Sequence, residues 1–304
     1  MFKRIGLFIL TNLAILVMLS IILNLVSFFF GVNFSQIAGG NQNLVSLFIF
    51  AAIVGFSGSI ISLFMSKTMA KHSMGLQMID VNNPRNEVER WLVQTISKLA
   101  QIKGVAMPEV GIYHGEPNAF ATGPSKNNSL VAVSDGLLAS MNKEEVEAVL
   151  GHEMSHVANG DMVTMTLMQG VINTFVVFLS RIIGNFVDRV ILRNEDDAPG
   201  AGYYITSLVL DIVLGLLGSM LVAAFSRYRE YRADAGAADA LGSPAPMINA
   251  LARLGGQAPT ELPGNVKGFG ISGGMGSLLA TQAPFEDRIK DLRSYQQTLV
   301  ELIF

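Results

Sequence analysis

The chain has 304 residues, 50% of them hydrophobic and only 15% charged, with a formal net charge of −3 and no cysteine; its mean hydropathy is +0.44. Soluble domains carry about 25% charge, so this sequence has too little charge to stay disordered or to neutralise nucleic-acid phosphates. The absence of thiols excludes a disulfide framework, a thiolate metal site and a cysteine nucleophile.

No Asp, Glu, Lys or Arg occurs over residues 5–66, a stretch of 62 residues. Two apolar runs lie inside it, at roughly 5–30 and 44–65, split by a polar turn at 31–42. Each exceeds the ~20 residues a helix needs to cross a bilayer. The first is also longer than the apolar part of a cleaved signal peptide. The pair reads as a transmembrane hairpin. Lys3 and Arg4 precede it, Lys67 and Lys71 follow it, and the turn has no basic residue. Both ends are therefore expected in the cytoplasm.

Beyond Ser66 the composition becomes that of a globular protein. Asn83 and Pro84 fit a helix cap with proline at the first helical position. Val88, Leu92, Ile96 and Leu99 then recur at helical spacing to about Gln101. Strand-like stretches follow at 109–114, 119–122 and 129–133, the pattern of a small sheet with tight turns. Asn142 and Glu145 have capping-box spacing ahead of a helix over 143–159. A third uncharged run of 19 residues covers 162–180, and a fourth of 23, with Asp211 alone, covers 203–225. Arg181, Asp188 and Arg189 make the end of the third run amphipathic. Length favours a second membrane hairpin over about 162–192 and 203–225, while the polar residues also suit a buried core hairpin. Eight glycines over 255–276 read as a mobile loop, and a last helix begins near Pro284. The expected fold class is a mainly α membrane protein. A hairpin at 1–66 precedes an α+β domain at 67–304 that has a small sheet and is interrupted by the second hairpin.

Chemistry concentrates at His152-Glu153-Met154-Ser155-His156. One helical turn stacks His152 over His156, so both imidazoles can chelate one Zn²⁺ without bending the backbone. Glu153 projects beside them, within reach of a water proton. Two imidazoles do not complete a catalytic site; a third protein ligand is needed. No histidine follows His156, and the only others, His72 and His114, read as surface or packing residues. A carboxylate is therefore expected. Glu230 and Asp234, four apart just after the fourth run, suit metal binding and a hydrogen bond to a ligand histidine respectively. Spacing alone leaves this open, because Arg227, Arg229 and Arg232 equally suit a solvated, charged helix start. If His156 and Glu230 share an ion, the chain between them crosses the membrane an even number of times.

These motifs occur together and in order: the N-terminal hairpin, Pro117-Asn-Ala-Phe-Ala-Thr-Gly123, His-Glu-Met-Ser-His with Val157-Ala-Asn-Gly-Asp161, and Arg229-Glu-Tyr-Arg-Ala-Asp234. Over essentially its whole length the chain resembles the HtpX family, bacterial inner-membrane zinc metalloproteases related to the CaaX prenyl proteases. The resemblance implies a gluzincin-type, zincin-like metalloprotease core at the cytoplasmic face, with one Zn²⁺ on His152, His156 and Glu230. It implies Glu153 as general base and Asp234 as the orienter of a zinc histidine. It further implies a multi-pass protein of the lipid bilayer whose substrates are misfolded or damaged membrane proteins, acting without ATP in quality control and stress response, alongside other membrane quality-control proteases. Asn118, Ala119 and Phe120 lie in a short strand suited to pairing with a substrate backbone, and the Asn118 amide suits a substrate carbonyl. One position departs from the family: in Thr281-Gln-Ala-Pro-Phe-Glu-Asp-Arg288, Gln282 replaces a histidine, so an oxyanion contact there would rest on a neutral, weaker donor. Arg288 is retained and suits substrate or the site's carboxylates. A non-catalytic zinc-binding membrane protein (transporter, sensor or inactive-protease scaffold) is the competing class. The first two runs offer it only Asn12, Asn24 and some Ser and Thr, and the intact Glu153 speaks against a scaffold.

Overall fold

The computed structural model describes residues 21, 24, 25, 28, 29, 44–196, 198–256 and 280–303. The expectations of a first membrane span at 5–30, a turn at 31–42 and a mobile loop at 255–276 fall largely or wholly outside them. The helices are α1 (Leu44–Ser73), α2 (Glu87–Lys103), α3 (Asp135–Ser140), α4 (Lys143–Asn159), α5 (Asp161–Phe186, followed by a π-helical turn Val187–Ile191), α6 (Ala201–Leu241), α7 (Ala245–Gly255) and α8 (Phe285–Ile303). The strands are β1 (Gln77–Ile79), β2 (Glu109–Tyr113), β3 (Ala119–Ser125) and β4 (Asn128–Ser134). The described residues form two compact units, one from within 1–62 and 166–221 and the other from within 63–165 and 222–304.

In the first unit, glycines let helices approach closely. A Cβ on Gly170 would lie 2.4 Å from the Phe56 ring, one on Gly55 2.5 Å from Thr174, and one on Gly218 2.5 Å from Ile172. Close backbone approach is how helices associate where lipid removes the hydrophobic driving force between them. Polar residues at the end of the third run pair with Asp211 of the fourth. Ser180 Oγ donates to Asp211 at 2.5 Å, and Arg181 Nη1 donates to Asp211 at 2.9 Å. Asp188 accepts from the backbone N–H groups of Gly200 and Tyr203, closing the N-terminus of α6. Phe175, Leu208, Leu217 and Leu221 are left exposed, the outward apolar surface a bilayer covers.

Among the described residues three helices, Leu44–Ser73, Asp161–Ile191 and Ala201–Leu241, are long and apolar enough to cross a membrane by length and composition. At 1.5 Å per residue α6 is about 60 Å long, twice the ~30 Å hydrocarbon core. A bilayer can therefore hold only its apolar stretch at 203–225. Glu230 and Asp234 lie beyond that stretch.

The second unit contains a four-stranded mixed sheet in the order β1-β2-β4-β3. β1 and β2 are antiparallel, β2 and β4 parallel, and β3 and β4 antiparallel. One face packs Val110, Ala119, Ala121, Val131 and Val133 against α2 and α4. β1 is absent from the sequence reading because its three residues, with only Ile79 buried, are too short to show alternation. The α2 start is corrected: the cap is Asn86, not Asn83. Asn86 Oδ1 accepts from the Glu89 N–H at 2.8 Å, and Glu89 takes the Arg85 N–H in return. Asn83 instead closes a turn, its N–H donating to the Asp80 carbonyl.

Candidate metal centre

The histidine helix is α4, and its start is the capping box expected from Asn142 and Glu145. Asn142 Oδ1 accepts from the Glu145 N–H at 2.9 Å, and Glu145 accepts the Asn142 N–H at 3.0 Å. Residues 148–157 are all buried. At its end Gly160 takes φ 66, a left-handed turn that only glycine adopts cheaply. That reversal returns the next side chain, Asp161, to His156.

Small residues set how closely α6 approaches α4. A Cβ on Gly236 would lie 2.6 Å from Ser155 Oγ and 3.0 Å from Ser155 Cβ, and Gly151 packs on Ala237 and Leu241. This seam brings Glu230, six residues earlier on α6, to the two histidines. Gly236→Ala is expected to cost about 1–3 kcal/mol through overpacking. Thermal unfolding of a cycle with Ser155→Gly should show most of that cost relieved; simple additivity would place the strain elsewhere.

His152, His156 and Glu230 are all buried, and one ligand atom from each lies within 4.8 Å of the others. The two Nε2 atoms are 3.1 Å apart, and each stands 3.4 Å from a Glu230 oxygen. Their other nitrogens are held from behind: His152 Nδ1 by Asp234 at 2.8 Å and His156 Nδ1 by Asp161 at 2.6 Å. Arg288 is fully buried. Its Nε donates to Asp234 Oδ2 at 2.7 Å, its Nη2 to Oδ1 at 2.6 Å, and its Nη1 lies 3.4 Å from Glu230. Arg229, 2% exposed, lies 3.6 Å from Glu230.

Glu153 is also buried, and neither of its oxygens accepts a hydrogen bond of normal geometry. Burial pushes its pKa up to about 8; His156 opposes the shift, Glu230 adds to it, and the nearby Ala121 backbone N–H opposes it. Glu230 behaves oppositely. Burial raises it, but His156, His152 and Arg288 together hold it well below the usual carboxylate range. Burial pulls His152 down, and Asp234 outweighs it to leave the imidazole raised.

A divalent cation fits these residues. With each Nδ1–H donated to an aspartate, both Nε2 lone pairs face one another, an arrangement that a shared cation makes favourable. Their separation is near the roughly 3.3 Å kept by two nitrogens each about 2.0–2.1 Å from one tetrahedral ion. Four buried carboxyl groups, Glu153, Glu230, Asp234 and Asp161, face two buried guanidinium groups, Arg229 and Arg288, an excess of acid that a cation offsets.

His72 and His114, read as surface or packing residues, are both exposed, His114 paired with Asp135, and neither reaches the centre. Ala119 and Phe120 are fully buried, Phe120 with its ring 5.7 Å from that of Tyr113. The Asn118 N–H donates to Ser134 Oγ, and the Asn118 carbonyl accepts the Ser134 N–H. Ala119 and Phe120 therefore offer a peptide their backbone only. β3 ends the sheet among the described residues, and its Ala121 N–H lies beside Glu153. Arg288 lies on the site's carboxylates, not at a substrate surface. Gln282 is largely buried, its Oε1 without a partner. Sequence reasoning missed the role of Asp161, whose only signal was its place five residues after His156.

Residues 86–296 match peptidase family M48. The chain is 58% identical over 296 residues to a "Protease HtpX homolog" of Paracidovorax citrulli, covering 97% of this chain and 99% of that protein. It is 57% identical over 293 residues to one of Bordetella pertussis, covering 96% and 98%. The crystal structure of S. mikatae Ste24p shares the fold, with a TM-score of 0.57 at 18% identity over 91% of this chain and 67% of that one. The chain thus belongs to peptidase family M48, as a membrane metalloprotease of the HtpX type.

Proposed function

We propose that the chain is a zinc-dependent endopeptidase of the bacterial inner membrane. In this reading it is multi-pass, with its N-terminus and catalytic unit cytoplasmic, and it hydrolyses peptide bonds of misfolded or damaged membrane proteins there. The observation that carries it is the conjunction of three convergent ligands with a buried Glu153 that no side chain bonds. When bound, zinc supplies Lewis acidity that eases deprotonation of a water and polarises a carbonyl. His152, His156 and Glu230 hold it. Asp234 and Asp161 fix the tautomers of the two histidines. Glu153 removes the proton of the attacking water and delivers it to the departing amine. The outer edge of β3 aligns the substrate backbone beside Glu153, which selects an extended peptide and not a sequence.

Chelating the metal from the detergent-solubilised protein should abolish peptide cleavage, and added zinc should restore it. His152→Ala and His156→Ala should each lose zinc and cleavage together. A variant that still holds one zinc per chain would remove that histidine from the ligand set.

Orientation is checked with single cysteines, since no native thiol competes. A cysteine at Gln36 should label from outside intact cells, and one at Lys126 only after permeabilisation. Labelling of position 126 in intact cells would reverse the topology and with it the assignment of cytoplasmic substrates.

A further inference from the structure

Three arginines cluster on α6 at 227, 229 and 232, and the structure gives them three different fates. Arg232 is exposed. Arg227 is half-buried and donates to the Ala280 carbonyl at 2.8 Å. Arg229 is 2% exposed and lies inside the metal centre. Its Nη2 donates to Ser226 Oγ at 3.1 Å and stands 3.6 Å from Glu230 Oε1. Its Nη1 stands 3.9 Å from Asp161 Oδ2.

The arrangement repeats around the other histidine. Asp161 holds His156 and faces Arg229; Asp234 holds His152 and bonds Arg288. The two guanidinium groups then address opposite oxygens of the shared Glu230, Arg229 at Oε1 and Arg288 at Oε2. The Arg229 distances to the two carboxylates are those of ion pairs, longer than hydrogen bonds. Ser226 anchors the guanidinium, and its fixed plane then constrains both acids. A buried guanidinium is costly unless it faces such partners.

We propose that Arg229 is a positioning residue of the metal centre, holding Glu230 in its ligand orientation and, through Asp161, fixing the ring of His156. The proposal rests on the assignment of His152, His156 and Glu230 as zinc ligands.

Charge and position predict opposite outcomes here, which makes the role testable. Removing a positive charge leaves a more negative site, so a purely electrostatic neighbour would on removal tighten zinc binding. A positioning residue would weaken it on removal. In the full-length detergent-solubilised protein, with zinc affinity read by competition against a chromogenic chelator, Arg229→Met should weaken binding about 10–100-fold. At saturating zinc, kcat should fall with KM little changed. Arg229→Lys keeps the charge without the fork and should recover only part of the affinity. Ser226→Ala removes the anchor alone and should weaken zinc binding in the same direction by less; it keeps the test open if Arg229→Met does not fold. Arg232→Met, at the exposed neighbour, is the unchanged control. Unchanged or tighter zinc binding in Arg229→Met or Ser226→Ala, or full recovery in Arg229→Lys, overturns the proposal. Wild-type protein that takes up no zinc overturns the ligand assignment instead.

Discussion

Replacing Glu153 by glutamine is expected to leave metal and fold in place while lowering turnover by at least about 100-fold. The substitution preserves shape in a site where Glu153 is 1% exposed, so packing is retained. No side chain bonds either carboxylate oxygen, and the amide oxygen of glutamine can still accept from the Ala121 backbone N–H beside it. The three-atom ligand cluster consists of His152, His156 and Glu230 and does not include Glu153. What disappears is a base: an amide cannot accept the water proton. Burial pushes the Glu153 pKa up to about 8, so its carboxylate, once ionised, holds a proton more strongly than a solvated one. Zinc content by elemental analysis and cleavage of an unfolded protein substrate separate the two roles. Near-normal cleavage would remove Glu153 from the chemistry, and loss of zinc would make it a structural residue.

Parts of this centre were legible in the sequence because they are local. The capping box at Asn142 and Glu145 fixes where α4 starts, and helical periodicity alone stacks His152 over His156. The spacing of Glu230 and Asp234 showed which side chains share a face of α6, but not what that face meets. The same spacing also suited solvent, and the abundance of arginine suited it equally. Burial decided the matter: Arg229, Glu230 and Asp234 are sealed in, while Arg232, on the same helix, is exposed. That difference comes from the seam of Gly236 against Ser155, a tertiary contact across 81 positions that no local pattern encodes. Asp161 was hidden for a related reason. Its contact with His156 depends on the left-handed turn at Gly160. The Asn83–Pro84 pair misled because the cap depends on which side chain reaches which N–H, and Asn86 with Glu89 completes that exchange.

The geometry resolves what spacing left open between Glu230 and Asp234, and the two alanine variants should fail differently. Glu230 faces the Nε2 atoms of both histidines at 3.4 Å, the side from which an ion is shared. Asp234 meets His152 at Nδ1, on the far side of the ring, with both its oxygens also engaged by Arg288. It cannot reach the ion that His152 holds through Nε2. Glu230→Ala leaves two imidazoles, too few for a stable zinc site, so zinc should be lost even at high concentration. Asp234→Ala should keep zinc at saturation, with affinity or activity about 10–100-fold lower, because only the support of His152 is removed. It carries a second cost that Glu230→Ala carries less of. Arg288 loses its bidentate partner while fully buried, and stranding one member of such a pair typically costs about 3–5 kcal/mol. Asp234→Ala should therefore unfold at lower temperature even when loaded with zinc. Zinc titration and thermal unfolding of both variants read these two effects separately. Should Asp234→Ala lose all zinc while Glu230→Ala retains it, the ligand is Asp234, and α6 meets the histidines one helical turn later than its present register.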